Sequence, residues 1–273
     1  LENIARKKGS YESKINQAIT EAMLNPQKLA DDLLRISKET GEKIEKVRES
    51  GESVDYLTFV PDGEPTLDVN LIERMKSYGI KIAVITNASL IWRADVREYL
   101  RKADRVYLKV DSSREAIWRT INRPHKTLQL ASILNGMLEF AKVYRGELVT
   151  ETMLVKDVND DEDHVRAVAD FLVQLKPARA YLAIHTRPPA EKWVQYPPEE
   201  RIVRAYQIFR EKINCVEYLI GYEGNAFAST GNAEDDLLSI TAVHPMREEA
   251  VKEFLERAKE DWSVVHKLVA QDQ

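Results

Sequence analysis

The sequence predicts an α/β chain built on a parallel sheet, and three observations carry that prediction. Short runs of β-formers alternate with amphipathic helical stretches from Tyr56 to Gly221. The turns that follow the strands are polar, at Glu64, Asn87, Asp111, Asn159 and Arg187. In a right-handed βα winding such turns fall on one edge of the sheet, where α/β folds place their ligands. The chain of 273 residues, 44% hydrophobic and 31% charged, has the composition of an ordinary globular protein and the length to bury a sizeable core. Surface turns are polar in most proteins, so a bland reading of the five turns stays open beside the functional one.

Asn25-Pro26 is a good helix start, and Leu29, Leu33, Ile36, Ile44 and Val47 recur at helical spacing to about Arg48, interrupted at Gly41. Gly51 ends that stretch. Tyr56 to Val60 reads as a strand that stops at Pro61-Asp62-Gly63, with a helix after Pro65 carrying Leu67, Leu71, Ile72 and Met75. Lys81 to Ile85 is the next strand, Thr86-Asn87 its turn, and residues 92–103 its helix. Arg105 to Val110 follows, with turn Asp111-Ser112-Ser113, a helix from Arg114, a loop at Asn122 to His125, and a long helix from Leu128 to Tyr144. The fourth strand is Glu147 to Val155, with a helix over 161–175; the fifth is Ala180 to His185, with a helix from Pro198 to Lys212. A last strand, Val216 to Gly221, precedes a polar loop from Glu223 to Asp236. The tail reads as two short helices, His244 to Lys259 and Trp262 to Leu268, a winged-helix-like or substrate-capping piece. The expected division is 1–222 for the main domain and 223–273 for a C-terminal helical appendage.

The net charge of −5 supplies no global nucleic-acid footprint. A single cysteine, Cys215, excludes an internal disulfide framework and a multi-cysteine metal site within these residues. No apolar run approaches the roughly 20 residues of a membrane span, and no signal peptide is visible, so the cytoplasm is the expected location. The five histidines show no ligand spacing. Asp160-Asp161-Glu162-Asp163 is best read as carboxylates at the start of a helix, where they complement its dipole. His185 and Arg187, closing the fifth strand, are candidates to face a substrate phosphate or carboxylate, and Arg123 is a further substrate candidate; a turn-stabilising arginine reads equally well.

The order and wording of the turns resemble the radical S-adenosylmethionine (SAM) enzymes. Gly63-Glu64-Pro65 matches the glycine-glutamate motif, Thr86-Asn87-Ala88-Ser89 closes the next strand, and Lys109-Val110-Asp111 ends the one after. Asn122-Arg123-Pro124-His125, Arg187-Pro188-Pro189 and His244-Pro245 are similar to the Fe-S oxidoreductase branch related to the wybutosine-forming tRNA enzymes. The resemblance covers roughly residues 55–250. It implies a partial (β/α)6, TIM-like barrel holding SAM across the carboxyl ends of its strands. By that likeness Gly63, Glu64 and Pro65 meet the methionine amino group, Thr86, Asn87 and Ser89 support the methionyl or ribose end, and Asp111 accepts from ribose hydroxyls. Lys109 pairs with the SAM carboxylate, or simply with Asp111. Asn159 contacts adenine, or serves as an Asx-type helix cap.

The resemblance also implies a [4Fe–4S] cluster, reductive cleavage of SAM to a 5′-deoxyadenosyl radical, and hydrogen abstraction from an unknown substrate. An electron donor such as flavodoxin or ferredoxin would serve it, and RNA is a substrate by analogy alone. The family binds its cluster with three cysteines in a C-x3-C-x2-C loop upstream of the glutamate motif, and no such loop occurs here. Because the chain starts at Leu1 in polar sequence, the expectation is that the first strand and the cysteine loop lie upstream. The alternative is a cluster-free SAM- or nucleotide-binding module of the same fold.

Overall fold

A computed structural model describes residues 38, 40–49, 53–60, 65–67, 71–185, 189, 191–219, 232–243, 246 and 248–270. The chain divides into two compact units, Leu1–Val54 and Asp55–Gln273. In the first, residues 40–49 are helical, with Ile44 buried and Arg48 paired to Glu45 at 3.0 Å. The helix predicted from Asn25 otherwise lies outside the described residues.

The second unit is organised on six parallel strands: β1 (Tyr56–Phe59), β2 (Lys81–Thr86), β3 (Arg105–Lys109), β4 (Glu147–Met153), β5 (Arg179–Ala183) and β6 (Val216–Leu219). Their order in the sheet is their order in the chain, each hydrogen-bonded to its sequence neighbours. The sheet is open, a partial barrel as the fold class required. A 3-10 turn at Pro65–Leu67 and α1 (Leu71–Lys76) stand where one helix was expected. They are followed by α2 (Ala94–Leu100), α3 (Glu115–Asn122), α4 (Leu130–Val143), α5 (Glu162–Leu175) and α6 (Glu199–Arg210).

The core lies on one side of this sheet. Val84, Val106, Leu108, Leu148, Leu182 and Val216 point toward the helices and meet Leu100, Met137, Phe140, Leu172 and Phe209. Burying a side chain of this size contributes about 1.5–3 kcal/mol. In α5, Val165, Val168, Ala169, Leu172 and Leu175 recur at three- and four-residue spacing, so one stripe of the helix is buried. Asp161 caps it, its side chain accepting from the His164 amide at 2.9 Å. The acidic run there does open a helix, as its sequence predicts.

Strands β3, β4 and β5 stop one or two residues before their predicted ends, and β4 shows why. The Met153 amide donates to Asp111 Oδ1 at 2.9 Å and the Val155 amide to Asn159 Oδ1 at 2.7 Å. Side-chain acceptors thus take over from the ladder. Asn122, expected in a loop, is instead the last residue of α3.

The tail corrects the expectation of two helices. It holds α7 (Ala233–Val243), α8 (Glu248–Ala258) and α9 (Ser263–Ala270), with a small core of Leu237, Phe254, Leu255 and Leu268. Residues Ala233 to Asp236, read as the end of a loop, form the first turn of α7, where carboxylates favour the helix. His244 and Pro245 lie outside the described residues. Among the described residues, no helix is long and apolar enough to cross a membrane.

Candidate functional site at the carboxyl edge of the sheet

Parallel pairing puts the turns after β2, β3, β4 and β5 on one edge. Thr86, Asn87, Ser89, Lys109, Asp111, Asn159 and His185 therefore share it. Gly63, Glu64 and Arg187 lie outside the described residues, and Pro65 opens the 3-10 turn after β1, half-buried.

The turn after β2 is knitted by its own side chains. Thr86 is buried, and its Oγ1 accepts from the Ala88 amide at 2.9 Å; Asn87 Oδ1 accepts from the Ser89 amide at 2.8 Å. Between them Ala88 has φ of 59°, the left-handed region that strains an alanine. Arg97 of α2 donates to the Ile91 and Trp92 carbonyls at 3.0 and 2.7 Å, and Gly136 of α4 packs against the same backbone. Within this well-held turn Asn87 is exposed and Ser89 half-buried.

Asp111, 2% exposed, is a hub. Oδ1 accepts from the Met153 amide, and Oδ2 from Asn122 Nδ2 at 2.8 Å. Its carbonyl accepts from Asn159 Nδ2 at 2.9 Å and His164 Nε2 at 3.2 Å. A carbonyl can only accept, so His164 carries its proton on Nε2, which leaves Nδ1 buried without a partner among the described residues. Burial pushes the His164 pKa below the ordinary histidine value. Asn159 is fully buried; its amide also donates to the Met153 carbonyl at 2.8 Å while Oδ1 takes the Val155 amide. In this conformation Asp111 and Asn159 tie the ends of β3 and β4 together with their hydrogen-bonding groups turned inward.

Lys109 lies on the accessible side. It pairs with Glu151 at 3.1 Å directly across the β3–β4 ladder, each side chain 22% exposed. The Asp111 carboxylate first, and Glu151 with it, hold the Lys109 ammonium well above the ordinary lysine range, overriding the effect of burial. The same side of the sheet carries two more ion pairs, Arg105–Glu147 at 2.5 Å and Arg179–Glu217 at 2.8 Å. Tyr107 and Tyr181 lie between, their rings 6.3 Å apart and nearly parallel. A parallel sheet is normally buried on both faces. This one has an apolar face against helices and a polar, partly open inner face. Sequence reading singled out Lys109 but missed Glu151, Tyr107 and Tyr181. The signal was present in the alternation Arg105-Val106-Tyr107-Leu108-Lys109, polar on one side and apolar on the other.

The segment after β5 borders the same edge. His185 stacks flat on Tyr196, ring centroids 3.9 Å apart, and burial pushes its pKa down. The Gln195 carbonyl accepts from the Lys156 amide of the β4 turn at 3.0 Å. Glu191 pairs with Arg123, which ends α3 in the left-handed conformation at φ 47°. Cys215 is half-buried beside β6, and among the described residues no three histidine, cysteine, aspartate or glutamate side chains gather as a metal site.

No family model matches the chain. It is 46% identical over 239 residues to the UPF0026 protein MJ1312 of Methanocaldococcus jannaschii, covering 86% of this chain and 74% of that protein. Among solved structures, a radical SAM methyltransferase from Sphaerobacter thermophilus is similar over 66% of this chain and 55% of its own, with a TM-score of 0.53 and 18% identity. Streptococcus suis SuiB, bound to S-adenosylmethionine, is similar over 72% of this chain and 48% of its own, with a TM-score of 0.52 and 15% identity. The chain thus spans about half of each of those structures, and the likeness is one of fold. By its sequence relative the chain belongs to the UPF0026 family, and its architecture is that of the radical SAM enzymes.

Proposed function

We propose that these residues form the SAM-binding barrel of a radical SAM enzyme. The observation that carries this reading is the carboxyl edge itself, where an exposed polar turn at Asn87 to Ser89 and the Lys109–Glu151 pair meet on an open parallel sheet. SuiB, with the same fold, has been solved with SAM. The chemistry of the edge suits the ligand. Lys109 offers donors to the amino-acid carboxylate, and Asn87 and Ser89 neutral hydrogen bonds to the methionyl or ribose end. Gly63 and Glu64 would serve the amino group by motif resemblance. Asp111, Asn159 and Thr86 would shape the edge from beneath, and Arg123, His185 and Arg187 would face the substrate.

The cluster does not fit in the same way. A [4Fe–4S] centre with one open iron takes three thiolates, and residues 1–273 contain one cysteine. By themselves these residues hold SAM without a means of cleaving it. The second reading is a cluster-free SAM- or nucleotide-binding module of the same fold.

Calorimetric titration with SAM tests the shared part of both readings. Saturable binding is expected, weakened by Lys109→Met and by Asn87→Ala; equal affinity in both variants would overturn the site. Electron paramagnetic resonance on protein purified without oxygen from its native source separates the two. A reduced-cluster signal altered by SAM supports the enzyme, and its absence after reconstitution supports the module.

A further inference from the structure

The inner face of the sheet has a charge balance that points to a particular kind of substrate. Arg105 is matched by Glu147 and Arg179 by Glu217, one cation to one carboxylate. Nearer the carboxyl edge the balance differs, because Lys109 pairs with Glu151, and Asp111, two residues on along the same side of β3, adds a second carboxylate to its field. Among the described residues, that end carries one negative charge in excess. Two phenol rings border it: Tyr181 stands opposite Glu151 in the β4–β5 ladder, and Tyr107 precedes Lys109 by one inward-facing position on β3. A second anion placed there would be repelled by two carboxylates. A cation would be drawn by the carboxylate excess and by the Tyr107 ring, whose quadrupole favours positive charge, while the Tyr181 ring already has the Arg179 guanidinium over it, 5.9 Å from its centroid. Asp111 has both oxygens engaged, so among the described residues Glu151, 22% exposed, is the carboxylate within reach.

We propose that this part of the inner face receives an ammonium group of the substrate, held against Glu151 between Tyr107 and Tyr181. The inference rests on the reading of the chain as a SAM-binding barrel and specifies the other occupant of that barrel. SAM carries cationic groups of its own, so the experiment has to tell the two sources apart.

The probe is 1,5-diaminopentane, compared with glutarate, a dianion with a chain of the same length. Binding is followed by nuclear magnetic resonance of the methyl-labelled chain. Met153 and Val149 report the inner face, and Val106, on the helix side, reports the fold. The diamine should shift Met153 and Val149 at concentrations about tenfold below those glutarate needs. Glu151→Gln, which keeps an acceptor for Lys109 but removes the charge, should weaken the diamine by about the same factor with Val106 unmoved. Lys109→Gln should leave diamine binding intact or strengthen it. Stronger binding of glutarate, unchanged diamine binding in Glu151→Gln, or its loss in Lys109→Gln would each overturn the proposal. Repeating the titration with saturating SAM identifies the source. Retained diamine shifts assign the cation to the substrate, and their loss assigns it to SAM and sinks the substrate inference alone. A chain that binds no SAM in the calorimeter instead removes the reading on which it rests.

Discussion

Lys109 and Glu151 face each other across β3 and β4 in ladder register, Nζ 3.1 Å from Oε1, with Asp111 as a second carboxylate beside the same ammonium. The arrangement is asymmetric, so the two partners are not equivalent in mutation. Glu151→Gln leaves Lys109 with Asp111 and should cost about 1 kcal/mol, in the range of a partly exposed pair. Lys109→Met leaves two carboxylates facing one another and should cost about 2 kcal/mol or more. Urea unfolding of both variants checks the order, and an equal or reversed cost would contradict it.

Asn159 satisfies three backbone groups with one side chain: the carbonyls of Asp111 and Met153, and the Val155 amide. Asn159→Ala should therefore destabilise by about 3 kcal/mol, roughly 1 kcal/mol for each bond. Asn159→Asp keeps an acceptor but loses both donors and buries a charge, so it should be no better. Urea midpoints of the two variants decide this, and an aspartate variant close to wild type would be the wrong outcome.

His164 is buried as the neutral ring, with its pKa pushed below the ordinary value of 6.5. Above that pH the ring is neutral in folded and unfolded chains alike, and its contribution to stability is complete. As the pH falls below 6.5, the unfolded chain takes up a proton that the folded one resists, and stability declines by up to about 1.4 kcal/mol per pH unit. His185 acts in the same direction. Unfolding measured from pH 7.5 to about pH 5 should show a shallower decline in His164→Gln than in wild type; parallel profiles would count against it.

At Gly136 of α4, an added Cβ would stand 2.7 Å from the Ile91 carbonyl oxygen and from the Trp92 amide nitrogen. Backbone cannot step aside as a flexible side chain can. Gly136→Ala should cost about 1–3 kcal/mol. Because the displaced segment follows directly on Asn87 and Ser89, SAM affinity should fall with it. Thermal unfolding and titration of this one variant test both effects together.

Much of the fold was legible in the sequence, because strand and helix periodicities are local properties. Lys81 to Ile85 announces a strand, observed as Lys81–Thr86, and residues 161–175 announce a helix, observed as Glu162–Leu175. What stayed hidden depends on distant partners. Asn159 reads locally as a turn or cap residue, yet one acceptor that fixes it, Asp111, lies 48 positions away. Arg123 reads as a candidate for substrate, while Glu191, its observed partner, is 68 positions on. The helix at Ala233–Val243 was obscured for another reason: three consecutive acidic residues look like loop unless weighed as a first helical turn. The polar inner face was readable from alternation in β3 and went unread because parallel strands are normally covered on both sides.

Sequential strand order also bears on how the molecule comes into being. Among the described residues every strand hydrogen-bonds to strands adjacent in the chain, so within this sheet no early segment has to wait for a late one to complete its pairing. During synthesis each new β-segment leaving the ribosome meets a template already laid down, and the sheet can grow in one direction as the chain lengthens. The edge that still awaits its next strand is always that of the newest one, which keeps the interval for mispairing at that edge short.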